Sequence, residues 1–306
     1  MTRPRRRARS STEERAASTT LDVVLCCLLV SAAVGVLAAA APPTDGHDPR
    51  TADRAAELLA TTTIAVDRPA PSPGSRASDR QSSTVHGTLA ALLARAAVAD
   101  AANPDVATDA AAGGRARGDE PQGAFAAAVA ERAHGSLSSV DATVNVTASY
   151  APLPGSEPRG RATVGPAVPD DVAVAVARFR VPVGTGPMPE RLDRVAREGD
   201  GRELARALAE ATVETLVPSS RTRWALRDDA TRPGVADRYR RLGRSLSVAP
   251  TGALDADRVR RANALLARAL ADEYLAAIRT DFERPTAAAA VARPRAVVVT
   301  VRTWSP

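Results

Sequence analysis

The sequence predicts an α+β fold in which one N-terminal transmembrane helix precedes an exported domain of Ala-rich helices and three or more strands. An apolar run follows an Arg-rich leader, Ala- and Leu-rich segments repeat their apolar residues at helical spacing, and three later segments have the period or apolarity of strands. The expected parts are a basic cytoplasmic leader (1–20), a transmembrane helix (21–41), a short helix with a Pro- and Ser-rich linker (42–83) and the exported α+β domain (84–306).

Residues 21–41 are predicted to span a membrane. At 1.5 Å per residue the run is about 31 Å long, close to the hydrocarbon thickness of about 30 Å. Its only charge is Asp22, at its start, and the stretch RPRRRAR precedes it. The positive-inside rule keeps these arginines in the cytoplasm, so we expect a single-pass protein of the cell membrane with its C-terminal domain outside.

Three fates remain open for this segment. It persists as an anchor, which we favour; it is cleaved after Ala40, since residues 38–40 match the A-x-A pattern of signal peptides; or it is cleaved between Ala17 and Ser18, as prepilin leaders are. The last fate would place Asp22 at the fifth mature position, where pilins carry an acid. The simpler interpretation of Asp22 is a favourable acid in a capping box at a helix N-terminus.

Beyond Pro42-Pro43, which ends the membrane helix, the period of the apolar residues changes along the chain. Because helices separate the strands, we expect the strands to pair non-locally in an α+β domain. The predicted elements are a helix at 51–61, a linker at 67–83, a helix beginning near Val85, a loop at 111–123, a helix at 124–135, strands at 140–150 and 171–183, helical segments at 189–216 and 254–283 and a strand at 295–304. Between the two helical segments we expect an irregular Arg-rich stretch that leaves room for one short helix.

Charge and cysteine content exclude several classes of protein. All 41 basic residues are Arg, against 35 acids, and the first 41 residues hold six of these Arg and three acids. The rest of the chain is nearly balanced, with acids and arginines interleaved, which argues against a nucleic-acid partner. The two cysteines, Cys26 and Cys27, are adjacent within the apolar run, so we expect no intrachain disulfide framework.

The candidate site residues are few and scattered. His47, His86 and His134 lie far apart, and we interpret none of them as a ligand. His47 is expected in a turn, His86 to cap a helix or pack in the core, and His134 at a helix C-terminus. No H-E-x-x-H, P-loop, G-x-G-x-x-G or G-x-S-x-G motif occurs. We therefore expect no metal, no cofactor, no small-molecule substrate and no enzymatic activity.

The chain also contains a glycosylation sequon and two tryptophans. Asn145-Val146-Thr147 is an N-glycosylation sequon on the predicted outside, so Asn145 is a candidate glycosylation site, although its place in a strand argues against occupancy. Trp224 and Trp304 are the only tryptophans, and Trp304, after the last strand, is expected to anchor the core rather than form a contact patch.

Three stretches resemble an uncharacterised family of haloarchaeal single-pass membrane proteins: RAASTTLDVVLCCLLVSAAVGVL, TVHGTLAALLARAAVAD and VVVTVRTWSP. The resemblance implies association with pilus-like, tight-adherence-type secretion genes and carries no activity. Two departures are the Arg excess, unusual for salt-adapted proteins, and Pro42-Pro43, which interrupts the long helix of a filament-forming pilin and favours a minor or accessory component.

The first functional hypothesis is a structural or accessory component of a pilus-like surface assembly, with the lipid bilayer and pilus or secretion subunits as partners. The alternative is an anchored extracytoplasmic module that binds a ligand or protein through a cleft beside the sheet. An exported hydrolase is the least favoured, because no set of nucleophile, base and orienting residue can be named.

Overall fold

The structure is a computed structural model that describes residues 49–68, 83–103, 121–184, 189–198, 201–255 and 257–305. Residues 48–306 form one compact unit. The helices are α1 (Pro49–Thr61), α2 (Leu89–Ala101), α3 (Pro121–Leu137), α4 (Pro189–Arg197), α5 (Gly201–Leu216), α6 (Ser219–Arg227), α7 (Arg232–Ser245), α8 (Val259–Asp281) and α9 (Pro285–Val291). The strands are β1 (Thr63–Arg68), β2 (Ser83–Thr88), β3 (Thr143–Tyr150), β4 (Gly160–Val164), β5 (Ala175–Pro182) and β6 (Ala296–Trp304). The fold is therefore mixed α+β, as the sequence predicts.

Four strands form one antiparallel sheet in the order β4-β3-β6-β5. The last strand, β6, lies between β3 and β5, and its Val297, Val299 and Val301 are completely buried. Its β-branched residues suit an interior strand, which is packed by neighbours on both edges. Strand β6 pairs non-locally with β3 and β5, in agreement with the expectation from their separation along the chain, whereas β3 and β4 are consecutive strands that pair locally.

Helix α2 is the central helix of the fold. It contacts all four strands of the sheet as well as α1, α3 and α5. Apolar side chains surround most of its circumference, so it can be buried on more than one side. Its N-terminus is capped by Thr88, whose hydroxyl accepts the Ala91 N–H at 3.2 Å. Small residues near its C-terminal end let the sheet approach closely, because Gly160 of β4 lies against the backbone of Ala97 and Ala101.

The second layer of helices is built on α5 and α8, which pack along each other. Their buried faces join the same continuous hydrophobic core as the sheet, α1, α2 and α3. Many of these contacts are made by alanine, which permits close helix packing but removes little apolar surface from water. The large buried side chains in this layer include Leu204, Leu208, Leu266, Leu270 and Tyr274.

Several boundaries differ from those expected. Residues 63–68 and 83–88 pair as an antiparallel ribbon, reinforced by a hydrogen bond from the Thr84 hydroxyl to Asp67 at 2.8 Å. The helix expected near Val85 therefore begins at Leu89, and the expected linker ends in strand β2. This ribbon was missed because its strands are only six residues long and carry few apolar residues, and it gains stability from packing on α3.

The middle of the chain also departs from the prediction. Strand β4 was not expected, and the strand expected from residue 171 begins at Ala175. The Arg-rich stretch, expected to be irregular with room for one short helix, contains two helices, α6 and α7. Its apolar residues are too sparse for a clear stripe, and the two helices pack against each other while α6 also packs on α8. By contrast, the strands expected at 140–150 and 295–304 are confirmed as β3 and β6.

The predicted membrane helix falls at residues 21–41, outside the described ranges, as do Ala17, Ser18 and Asp22. Within the described ranges, no helix combines the length and the apolarity needed to cross a membrane.

Gly160 should not tolerate a side chain. A Cβ atom there would overlap the carbonyl oxygen of Ala97 and the backbone nitrogen of Ala101, neither of which can rotate away. We expect Gly160→Ala to lower the free energy of unfolding by at least about 1–3 kcal/mol, the usual cost of overpacking. Urea-induced unfolding followed by far-UV circular dichroism measures the change.

Gly135 is the matched control for this substitution. It lies in α3, and a Cβ atom there would meet nothing within 4 Å. Gly135→Ala should be neutral or stabilise the protein by up to about 1 kcal/mol. Equal stability of the Gly160→Ala variant and the native chain would show that α2 does not approach β4 as described.

Candidate functional site

One face of the four-stranded sheet packs on α1 and α2, and the opposite face carries polar and basic side chains. Because residues paired directly across an antiparallel sheet share a face, the register assigns each side chain to one of them. A first row on the polar face holds Thr163, Thr147, Thr300 and Arg178. The adjacent rows on the same face hold Arg161, Ser149, Val298 and Arg180, and Asn145, Arg302 and Val176.

All four arginines of the sheet lie on this face. The basic face is defined here by Arg161, Arg178, Arg180 and Arg302, and the four strands contain no Asp or Glu. Three of these arginines are exposed, and Arg302 is half-buried. The face therefore presents a positive charge that the strands themselves do not neutralise.

One arginine of the basic face donates hydrogen bonds within the sheet. The Nη1 group of Arg302 donates to the Thr147 hydroxyl at 3.4 Å and to Asn145 Oδ1 at 3.5 Å. Its guanidinium thus lies along the strands, directed toward the centre of the face. The threonine hydroxyls nearby add short, rigid hydrogen-bonding groups between the arginines.

The electrostatics at the two edges of the face differ. At the β4 edge, Asp100 of α2 accepts the Arg161 N–H at 2.8 Å; burial raises the pKa of this carboxyl, and the hydrogen bond and the charge of Arg161 oppose that shift. At the β5 edge, Arg180 lies near Arg293, whose pKa is lowered by burial first and by the like charge of Arg180 second, while Asp193 opposes the change. An added anion would relieve the repulsion at the β5 edge.

Asn145, the candidate glycosylation residue, lies in the middle of this polar arrangement. Its side chain is 5% exposed, and its Nδ2 group donates to the Pro166 carbonyl at 2.8 Å. A glycan on Nδ2 would have to replace that hydrogen bond and leave through a buried position. Glycosylation at Asn145 stays a prediction, and in the folded protein its geometry is unfavourable.

A groove of about 260 Å³ runs between α5 and α8. Its polar lining is part of a hydrogen-bonded network: Glu214 accepts both the backbone N–H and the hydroxyl proton of Ser219, at 3.0 and 2.6 Å. Asn263 in turn donates to Ser219 Oγ at 3.2 Å and to the Val217 carbonyl at 3.0 Å, and it accepts the Tyr239 hydroxyl proton. These groups join α5, α6, α7 and α8 and satisfy one another, so the network explains helix packing without a ligand.

A second buried network lies between the sheet and α5. The Tyr150 hydroxyl donates to the Pro294 carbonyl at 2.8 Å, and the Thr215 hydroxyl reaches the same carbonyl at 3.0 Å. The Thr212 hydroxyl lies 3.3 Å from the Tyr274 hydroxyl. The three tyrosines of the chain, Tyr150, Tyr239 and Tyr274, are thus all buried and hydrogen-bonded.

The remaining candidates are dispersed. His86 is exposed on β2, His134 is exposed in the last turn of α3, as expected for a helix-end residue, and His47 lies outside the described ranges. Within the ranges that the structure covers, no three His, Cys, Asp or Glu side chains are grouped as metal ligands. Trp304 is buried, at 5% exposure, but it lies outside the main core cluster, on the same sheet face as Arg302; Trp224 is 79% exposed.

The basic face was missed in the sequence although a signal for it was present. In AVARFRVP and VVVTVRTW the arginines occupy alternate positions among apolar residues, which places them on the face opposite the core. Which arginines of different strands meet depends on the register and on the central position of β6, and neither can be read from one segment.

Comparison with known proteins identifies one family, whose function is unknown. A family of unknown function, DUF7284, matches residues 21–304, and the chain belongs to it. No curated protein matches the chain, and no solved structure does.

The buried tyrosines predict an alkaline transition. Burial raises the pKa of Tyr239 to about 12 and raises those of Tyr150 and Tyr274 as well. An unfolded tyrosine ionises near pH 10, so the stability from keeping these phenols neutral is complete below about pH 10 and is lost as the pH rises through the folded-state values. For three groups, the free energy of unfolding should fall by up to about 4 kcal/mol per pH unit above pH 10.

Ultraviolet absorbance at the phenolate band measures this transition, and the absence of lysine leaves few other groups to titrate between pH 9 and 12. We expect tyrosinate to appear together with the loss of circular dichroism rather than at pH 10. Ionisation of a tyrosine near pH 10 in the still folded chain would contradict the burial described here.

Proposed function

We propose that this member of family DUF7284 is a non-enzymatic, membrane-anchored component of a surface assembly that binds an acidic segment of another protein through its basic face. The observation that carries the proposal is the concentration of four arginines, with no acid in the strands, on one polar sheet face. Arginine forks bind carboxylates in two parallel hydrogen bonds, and the neighbouring Thr and Ser hydroxyls supply further donors.

The chemistry of the face favours an acidic protein over a nucleic acid. Single-stranded nucleic acids are usually bound where aromatic rings offer a stacking surface. Phe179, the aromatic residue of β5, points to the packed face, and Trp304 is buried. Alternation along β6 places Trp304 on the same face as Arg302, but its side chain is 5% exposed, so the basic face offers charge and hydroxyl groups without an exposed ring on which a base could stack.

The placement of the protein is part of the same proposal. Residues 21–41 are proposed as a retained membrane helix, with the arginine leader in the cytoplasm and the folded unit outside. The resemblance of both chain ends to haloarchaeal, tight-adherence-associated proteins supports pilus or secretion subunits as the source of the partner. Processing between Ala17 and Ser18, with Asp22 in an assembly role, belongs to this proposal as the pilin-like variant.

A small-ligand module is the second candidate, and one observation favours it. Arg260 is exposed at the groove between α5 and α8 and has no ion-pair partner in the described part of the chain. An anionic group of a small molecule would pair with Arg260 there, against repulsion from Glu210 and Glu214, which line the same groove. Saturable heat of binding that is lost in Arg260→Gln and kept in basic-face variants would favour this candidate over the first.

The charge of the basic face can be removed without touching the core. We expect the double variant Arg178→Gln, Arg180→Gln to bind a glutamate-rich peptide roughly tenfold more weakly, since each exposed ion pair contributes up to about 1 kcal/mol. Fluorescence anisotropy of the labelled peptide with the detergent-solubilised full chain measures the change.

The control is Arg221→Gln, Arg223→Gln, which removes the same charge from helix α6. It should leave peptide affinity within about twofold of the native value. Equal losses of peptide affinity in both double variants would mean that the net charge of the protein, and not the basic face, determines binding. Stronger binding of a single-stranded oligonucleotide than of the peptide would contradict the proposed acidic protein partner.

A further inference from the structure

Helix α6 presents one large aromatic side chain directly away from the protein. Thr222 and Leu226 are its buried residues, at 6% exposure each, and they anchor the helix. At 100° per residue, Trp224 lies about 200° from Thr222 and from Leu226, on the side opposite the core. Its 79% exposure is therefore a consequence of the helix orientation.

Three arginines flank this tryptophan. Arg221, Arg223 and Arg227 are exposed on α6, to either side of Trp224 on the helix surface. None of them has an ion-pair or hydrogen-bond partner among the residues that the structure describes. The helix thus displays an indole ring within a group of three free guanidinium groups.

The surrounding segment carries the excess charge of the protein. Residues 221–261 contain 11 Arg and five Asp, a net charge of +6, which equals that of the whole chain, 41 basic residues against 35 acids. Residues 1–41, with six Arg and three acids, are a second basic stretch, and residues 42–306 outside this segment hold 24 Arg and 27 acids. Within residues 42–306, this segment is therefore the one with a preference for an anionic surface.

The small exposed apolar area around Trp224 favours a lipid surface over a protein partner. The other large exposed apolar residues among those described, Val176 and Val291, lie on β5 and α9, so Trp224 is not the centre of an apolar patch. A stable protein interface buries about 800 Å² on each partner, whereas one tryptophan supplies about 150–250 Å². A lipid headgroup region requires no such patch, because single tryptophans reside there with arginines bound to phosphates.

We propose that α6 is a peripheral membrane-contact site, in which Trp224 enters the headgroup region and Arg221, Arg223 and Arg227 bind the phosphates of anionic lipids. Such a contact is weak alone. Only residues 42–48 separate the proposed membrane helix from α1, so the tether gives the site a high effective concentration of lipid. The inference uses the anchoring part of the proposed function and is independent of the basic face.

The two tryptophans make the test direct. The full-length chain is reconstituted into vesicles of phosphatidylcholine alone or with phosphatidylglycerol, each with and without a lipid that carries a nitroxide near its headgroup. We expect the nitroxide to quench tryptophan emission in the anionic vesicles and much less in the neutral ones. In Trp224→Phe, which retains only the buried Trp304, the quenching should disappear.

Charge variants then separate α6 from the rest of the surface. The triple variant Arg221→Gln, Arg223→Gln, Arg227→Gln should lower the equilibrium constant for contact between α6 and anionic lipid by about fivefold per arginine, measured as the ratio of quenched to unquenched Trp224. About 0.5 M NaCl should lower the same ratio. The matched control, Arg161→Gln, Arg178→Gln, Arg180→Gln, removes the same charge from the basic face and should keep the quenching.

Three results would overturn the proposal: no quenching in anionic vesicles, equal quenching in both vesicle types, or protection of Trp224 by an added protein without lipid quenching. Extraction with alkaline carbonate is followed in the same vesicles as a separate measure of anchoring. A chain that resists extraction while Trp224 stays unquenched retains its anchor and lacks the α6 contact. If carbonate extracts the chain, the proposed membrane anchor is contradicted, independently of the quenching of Trp224.

Discussion

The insertion of β6 between β3 and β5 is the interaction on which the rest of the structure depends. Strands β3 and β5 make no ladder with each other, and each is paired through β6. The same insertion places Val297, Val299 and Val301 in the core. Because side chains alternate along the strand, Thr300 and Arg302 lie on the opposite side of the sheet. The same strand therefore contributes to both the core and the basic face.

Scarcity of aromatic residues shapes how this core is stabilised. Only 3% of the residues are aromatic, and alanine fills many helix contacts, so the helices and the sheet approach closely, as at Gly160. The buried phenols of Tyr150, Tyr239 and Tyr274 supply both volume and hydrogen bonds that join separate elements. A fold of this composition depends on close backbone packing and on a few satisfied polar networks.

The sequence predicts those elements whose pattern is local. Strands β3 and β6 were expected because their apolar residues recur within a short window, and the α+β class follows from their spacing. The ribbon of β1 and β2 was missed because its six-residue strands carry few apolar residues, and β4 because GRATV is short and begins with glycine. The basic face required the register of four strands, whereas the exposure of Trp224 required knowing which side of α6 is buried. Ala17, Ser18 and Asp22 stay predictions from the sequence alone.

The central position of β6 also constrains the order in which the chain folds. The segment from Pro189 to Val291 separates β5 from β6, so the earlier strands emerge from the ribosome long before the strand that joins them. Until β6 arrives, the sheet lacks its middle and α2 lacks part of the surface that buries it. The sheet can therefore close only after nearly the whole chain has been synthesised, which makes completion of this fold a late, non-local step.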